Sequence, residues 1–186
     1  MATSGSEIVN SRTGQRTIFL QTAADTGGTY LRMETFHPAG QPAEPDHVHP
    51  FQTSHCAVLS GRLHFRIADT ERIVSAGEIL EIPRNVPHYF WNESDEEAHA
   101  IQEFRPALNI EDFFATYFAL ARAGKLTEQG IPANVFHLAV LLHEYDQVIR
   151  VTKPPRLVQR LLMSLAPFGR FLGYRGTYPS RSEETV

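Results

Sequence analysis

The sequence predicts a mainly β domain, an all-β sandwich or barrel, followed by an α-helical region. Three observations carry this expectation. Up to about residue 107, short runs alternate apolar and polar side chains with a period of two, between Gly, Pro, Asn and Asp turns. Beyond it, the apolar spacing becomes i, i+3, i+4, i+7, the period of a helix. A length of 186 residues, with 42% hydrophobic and 20% charged content, suits one globular domain with an appended subdomain. The expected division is a β domain over 1–107 and a helical extension over 108–186.

The strand candidates are, in order, TIFLQTA (17–23), TYLRMETF (29–36), HCAVLSGRLHFRI (55–67), RIVSAGEILEIP (72–83), HYFWN (88–92) and AHAIQEFRP (98–106). In RLHFRI, Leu63, Phe65 and Ile67 share one face and Arg62, His64 and Arg66 the other, as in a half-buried strand. The first helix is expected after Asn109 as cap, with Glu111 and Asp112 near its positive end and Gly124 as its stop. Ile110, Phe113, Phe114, Tyr117 and Ala121 form its apolar stripe, read as core. A second helix is expected over roughly 133–149, with Pro132 in its first turn and Val135, Leu138, Ala139, Leu142 and Tyr145 buried. A third starts near Arg156 and buries Leu157, Val158, Leu161, Leu162 and Leu165; Pro167 kinks or ends it. Arg156, Arg160 and Arg170 are expected on a solvated face, and the polar end SRSEETV is expected to fray.

Composition excludes several classes of function. A net charge of −4 and a pI near 6.1 offer no basic field for nucleic acid. The single cysteine, Cys56, cannot form an intramolecular disulfide and reads as a small buried hydrophobe. No apolar leader opens the sequence and no run of about 18 apolar residues follows, so the expectation is a cytoplasmic protein with no integral membrane segment.

Chemistry concentrates in three histidines. His47 and His49 stand at i and i+2, so on one strand they point the same way and can chelate one ion. His88 follows a turn rich in Pro and Asn (Pro83, Asn85, Pro87) and comes from another strand. Neutral imidazoles suit Fe, Zn, Ni and Cu.

Here the residues carry a resemblance to the cupins. The family's first motif is Gly, five spacers, His-x-His, three or four spacers, an acid, six spacers, Gly. It is matched by Gly40, His47, His49, position 54 and Gly61, with six residues instead of five after Gly40. The second motif is Gly, five spacers, Pro-x-Gly, two spacers, His, three spacers, Asn. It is matched by Gly77, Pro83, His88 and Asn92, with Asn85 at the second glycine, a residue that tolerates positive φ. The resemblance implies a double-stranded β-helix, the cupin jelly-roll barrel, followed by the α-helical C-terminal extension. It also implies a metal on His47, His49 and His88, and a homodimer, because cupin barrels commonly pair through sheet surfaces. Fe(II) is the favoured ion, with Zn, Ni or Mn as alternatives.

One departure matters. The family's metal-binding acid is Ser54 here, and a hydroxyl is a poor ligand for a divalent ion. Three readings stay open: a three-histidine site, a site completed by Gln52 or Glu103, or a barrel that has given up its metal. His55 should face away from Ser54, Cys56 and Val58. His37, His64, His99, His137 and His143 have no spacing argument and read as surface or structural. Asn92 reads as a turn residue, Phe90 as pocket wall, and Tyr89 and Trp91 as outward.

The functional expectation is a metal-dependent enzyme acting on a small organic molecule, as an oxygenase or as an isomerase or cyclase. Gln52, Ser54 and Glu103 are the expected helpers that orient the ligands, with Glu103 as a base. The competing reading is a non-catalytic module that binds a small ligand. The helices are expected to pack on the barrel or on a second subunit, or to lid the barrel mouth. Peripheral membrane contact is disfavoured because they lack a dense Lys/Arg face.

Overall fold

A computed structural model describes residues 2–178; the expected fraying of SRSEETV lies outside these residues. The β strands are β1 (Glu7–Val9), β2 (Arg16–Gln21), β3 (Leu31–His37), β4 (His47–Val48), β5 (Thr53–Ser60), β6 (Arg62–Ile67), β7 (Thr70–Ser75), β8 (Ile79–Ile82), β9 (His88–Trp91) and β10 (Ala98–Arg105). The remaining elements are α1 (Ile110–Arg122), α2 (Val135–Glu144), a short strand β11 (Arg150–Val151), α3 (Arg156–Met163) and α4 (Ala166–Phe171). The strands form two antiparallel sheets, ordered β1-β2-β3-β10-β5-β8 and β11-β4-β9-β6-β7. The two sheets pack face to face as a β sandwich, followed by a helical extension.

The two long alternating runs each split where the chain changes sheet. Residues 55–67 divide at Gly61, leaving β5 in one sheet and β6 in the other; residues 72–83 divide at Gly77 in the same way. Gly61 has φ +70°, and a Cβ there would lie 2.8 Å from the Glu97 carbonyl oxygen and 2.9 Å from the Ala98 Cα. Only glycine fits so close to backbone with that φ. Gly61→Ala is therefore expected to cost on the order of 2–3 kcal/mol, read as a lower urea midpoint with an unchanged slope.

Cys56, Val58, Leu63, Phe65, Val74 and Leu80 fill the space between the sheets at one end of the barrel. At the other end, Phe19, Leu31, Met33 and Phe104 meet Ile110, Phe118 and Leu120 of α1, with Leu141 and Tyr145 at α2. Each such buried side chain contributes about 1.5–3 kcal/mol, so this shared core fastens the first two helices to the barrel.

The helices differ from the sequence expectation in three places. The second is shorter, Val135–Glu144, and begins at Asn134. The Asn134 side-chain oxygen accepts from the Phe136 and His137 amides at 2.9 and 3.2 Å; Pro132 lies outside the helix. The chain then turns, and Arg150 and Val151 pair with Val48 and His47 as β11 instead of continuing as helix. The β-branched run Val148, Ile149, Val151, Thr152 explains this. The third helix breaks after Met163, and Pro167 sits in the first turn of α4.

Most of the expected buried stripe of α3 is exposed; only Leu162 turns inward, to line the cavity. Leu157 and Leu161 are 70% and 62% exposed, Val158 and Leu165 are exposed as well, and Gln159 is buried. The Gln159 amide donates to the carbonyls of Val151 and Pro154 at 2.9 and 2.7 Å, so α3 is seated by a polar clasp. No helix among the described residues is long and apolar enough to cross a membrane.

Candidate metal centre

His47, His49 and His88 come together. β4 pairs antiparallel with β9, and His47 stands directly opposite His88. His49 lies one residue past β4 on the same side. The three ring centroids are 4.6, 5.0 and 5.2 Å apart, and one ligand atom from each ring lies within 4.8 Å of the others. All three side chains are buried.

Each imidazole is fixed from behind. Nδ1–H of His47 donates to the Pro45 carbonyl at 2.8 Å, that of His88 to the Val86 carbonyl at 2.8 Å, and that of His49 to the Val148 carbonyl at 2.6 Å. A carbonyl can only accept, so Nδ1 carries the proton and the Nε2 lone pair is left for a ligand. The turn before β9 is hooked to the same place. Asn85, at φ +63°, donates its amide to the His49 carbonyl at 2.8 Å. Burial, reinforced by the neighbouring rings, holds His47 well below the usual histidine range and His49 at about 3. Burial lowers His88 as well. Neutral, pre-oriented, convergent imidazoles are the donor set a divalent transition metal requires.

A cavity of about 350 Å³ opens from the three rings. Ser54, Cys56, Phe65, Phe90, Gln102 and Phe104 wall it from the barrel; Phe113, Phe114, Tyr117 and Phe118 do so from α1, Leu138, Leu141 and Leu142 from α2, and Leu162 from α3. The aromatic stripe of α1 is thus cavity wall as well as core. Burial in this wall raises the Cys56 thiol to about 12, which keeps it a neutral hydrophobe at ordinary pH.

The other expected helpers fall in different places. Ser54 lines the cavity. Gln52 is fully buried outside the cavity wall. Its amide donates to the Pro106 and Ala107 carbonyls, both at 2.9 Å, and ties the approach to β5 to the start of the extension. Glu103 is not brought to the site. It faces outward from β10, opposite Arg32 and His55 in the neighbouring strands, and accepts from Arg105 Nε at 2.6 Å. Ala98, Ala100, Gln102 and Phe104 are the buried set of this strand, so the polar group it delivers to the cavity is Gln102. His55 faces outward to Glu81, and Asn92 fixes a turn by donating to the His37, Pro38 and Glu96 carbonyls.

Two features of the site escape the sequence reading. One is the Val148 carbonyl behind His49, supplied from 99 positions away. The other is Glu44, three residues before the first histidine. It lines the cavity, its Oε2 accepts from Arg12 Nη2 at 3.0 Å and from the Tyr117 hydroxyl at 3.4 Å, and its Oε1 is buried with no protein partner among the described residues. Burial raises its pKa, against the opposing charge of Arg12. The acid in PAEPDHVHP was visible; its inward direction was not.

The buried histidines set a direction for pH. His37 is fully buried between Gln41 and Thr35 and held at about 4, and His49 at about 3, against an ordinary 6.5. The unfolded chain therefore binds protons that the folded chain refuses. The stability of the metal-free protein is expected to be full above about pH 6.5 and to fall as pH drops towards 4, at about 1.4 kcal/mol per pH unit for each such histidine. Melting temperature measured from pH 7.5 to 5 checks this, and His37→Gln should flatten the slope. A flat wild-type profile would contradict neutral burial.

Residues 33–102 match the family model described as a cupin domain. No curated protein matches the chain. Among solved structures, a predicted oxalate decarboxylase from Thermotoga maritima is 15% identical with a TM-score of 0.49; the match covers 54% of this chain and 90% of that one. KdgF from Halomonas sp. is 14% identical with a TM-score of 0.47, covering 53% of this chain and 84% of that one. The polyketide cyclase RemF from Streptomyces resistomycificus is 20% identical with a TM-score of 0.44, covering 49% and 64%. None of these likenesses carries an activity over to this chain.

Proposed function

We propose that this chain is a cupin and a metal-dependent enzyme acting on a small, largely apolar organic molecule; the cupin-domain match over residues 33–102 supports the first part. The observation that carries the reading is the convergence of three buried imidazoles whose Nδ1 protons are all committed to backbone carbonyls. His47, His49 and His88 would hold the ion, with Fe(II) favoured and Zn, Ni or Mn as alternatives. A divalent ion there supplies Lewis acidity or oxygen activation.

The chain's own residues supply the rest. The phenylalanine and leucine walls desolvate a substrate and fix its apolar body. Gln102 and Ser54 offer hydrogen bonds at its polar end. Glu44, instead of Glu103, takes the role of acid or base: burial raises its pKa, the Arg12 charge opposes that and keeps an ionised form accessible, and Oε1 is the atom that takes or delivers the proton. This serves an oxygenase or an isomerase or cyclase equally well. We place the homodimer contact on the barrel, where Ile73 of β7 and Ile79 of β8 are exposed. The unit boundary near residue 107 is likewise our proposal.

A second reading rests on Ser54, which stands where the family has an acidic ligand: the barrel would bind a small organic ligand without catalysis. Elemental analysis of the purified chain, free of affinity-tag histidines and chelator, separates the two. About one equivalent of a single metal per chain, with substrate turnover tested in the presence and absence of O₂, supports the enzyme. A chain that stays empty after anaerobic reconstitution sinks the metalloenzyme and leaves the ligand-binding module.

A further inference from the structure

The C-terminal helices leave most of their large apolar residues exposed. On α4, Ala166 and Gly169 are buried, whereas Phe168, Phe171 and Leu172 are 52%, 84% and 48% exposed. Gly169 shows why. A Cβ there would lie 2.8 Å from the Phe136 carbonyl oxygen and 2.8 Å from Val140 Cγ2, so α4 rests backbone-close on α2; Phe168 meets the Phe136 ring edge-on, centroids 5.3 Å apart, and still leaves half its surface open, and Phe171 is the most exposed. α3 repeats the arrangement, burying Gln159 and exposing Leu157 and Leu161. Water-facing surfaces are ordinarily built the other way round.

The segment carries no dense Lys/Arg face, the ground on which the sequence disfavoured membrane contact, but its charge is one-sided. Between Asp146 and Glu183 the chain carries seven Lys or Arg and no acid, although its net charge is −4. Arg150 and Arg156 are held by Asp146 at 2.9 and 2.6 Å, and Arg170 by Glu144 at 2.8 Å. Lys153 and Arg160 are exposed and have no acidic partner among the described residues. Arg160 flanks the outward leucines, at the fourth position counting from Leu157 and next to Leu161.

We propose that the α3–α4 face docks on an anionic lipid surface. Its apolar side chains would enter the boundary between headgroups and acyl chains, with Lys153 and Arg160 reaching the phosphates. Charge decides between this occupant and a second copy of the chain. A two-fold contact would set each basic face against its own image, with no acid in the segment to answer it, whereas an anionic bilayer answers both the charge and the apolar surface. Lys153 also borders the cavity, but none of the three histidines takes part in this face, so the proposal stands apart from the enzyme reading.

The test is flotation of the full-length protein with vesicles of phosphatidylcholine alone or of phosphatidylcholine containing phosphatidylglycerol. The expected result is binding to the anionic vesicles only, weakened by salt. Lys153→Gln with Arg160→Gln should weaken it roughly 25-fold, about fivefold per cation. Leu161→Ser with Phe171→Ser should abolish it. Both pairs are exposed, and unchanged melting curves verify that the fold is kept. Failure to bind anionic vesicles, or equal binding to neutral ones, overturns the proposal. So does a wild-type dimer in sedimentation that the Leu161→Ser, Phe171→Ser chain dissociates, since the face would then join two copies.

Discussion

Alanine at His88 is expected to strip the purified protein of the metal proposed above. The three imidazoles are held neutral by burial and aimed by backbone carbonyls, so the proposed site would owe its affinity to preorganised donors; no carboxylate joins the group among the described residues. Losing a hydrogen-bond partner behind a metal ligand typically costs about 10–100-fold in affinity; losing one donor of three should exceed about 100-fold. Metal content measured beside the wild type checks this, with circular dichroism to verify that the barrel persists. His88 sits on β9, paired to both β4 and β6, so the strand's register survives the loss of one ring. Unchanged metal content in a folded His88→Ala chain would remove these histidines from the metal site.

The second large effect is expected at Arg12. Its guanidinium answers the Glu44 carboxylate at 3.0 Å, and the two side chains are only 15% and 12% exposed. Arg12→Ala would leave a buried charge without its partner, at a cost of about 3–5 kcal/mol, read by urea denaturation at neutral pH. Adding Glu44→Gln to the same chain should recover most of the loss, because a neutral amide needs no counter-charge. The pH dependence has a definite sign. Burial already raises Glu44 above the ordinary 4.5, and loss of Arg12 raises it further. The penalty in Arg12→Ala, measured against wild type at each pH, should therefore be full at neutral pH and shrink as the carboxyl protonates on acidification. Strict additivity of the two substitutions would show that the pair does not interact.

What was legible in the sequence is what local spacing encodes. His47 and His49 at i and i+2, and Gly61 and Asn85 at positions demanding positive φ, are constraints written within a few residues, and the fold keeps each of them. The alternation in AHAIQEFRP also held the right answer. Ala98, Ala100, Gln102 and Phe104 face in, so choosing Glu103 for its chemistry meant setting aside its direction. Gln52 and Glu44 could not be sorted this way, because both lie in irregular chain where no period reports which side is buried. The exposed stripe of α3 failed for a related reason. A helical period shows that apolar residues share a face, not that the face is covered by this chain. β11 was overlooked although Val148, Ile149, Val151 and Thr152 signal a strand, because two paired residues give no alternation to read.

The bond from His49 to the Val148 carbonyl changes what counts as the barrel. β11 lies along β4, Thr152 grips Asp46 through its hydroxyl at 2.7 Å, and Val148 sets the ring of a candidate ligand. A fragment ending after β10 would keep all three histidines yet lose the rear support of one and the edge strand beside another. The tail and the chemistry are therefore inherited together. A descendant that shortened or exchanged this extension would shift the histidine cluster without altering any of the three histidines.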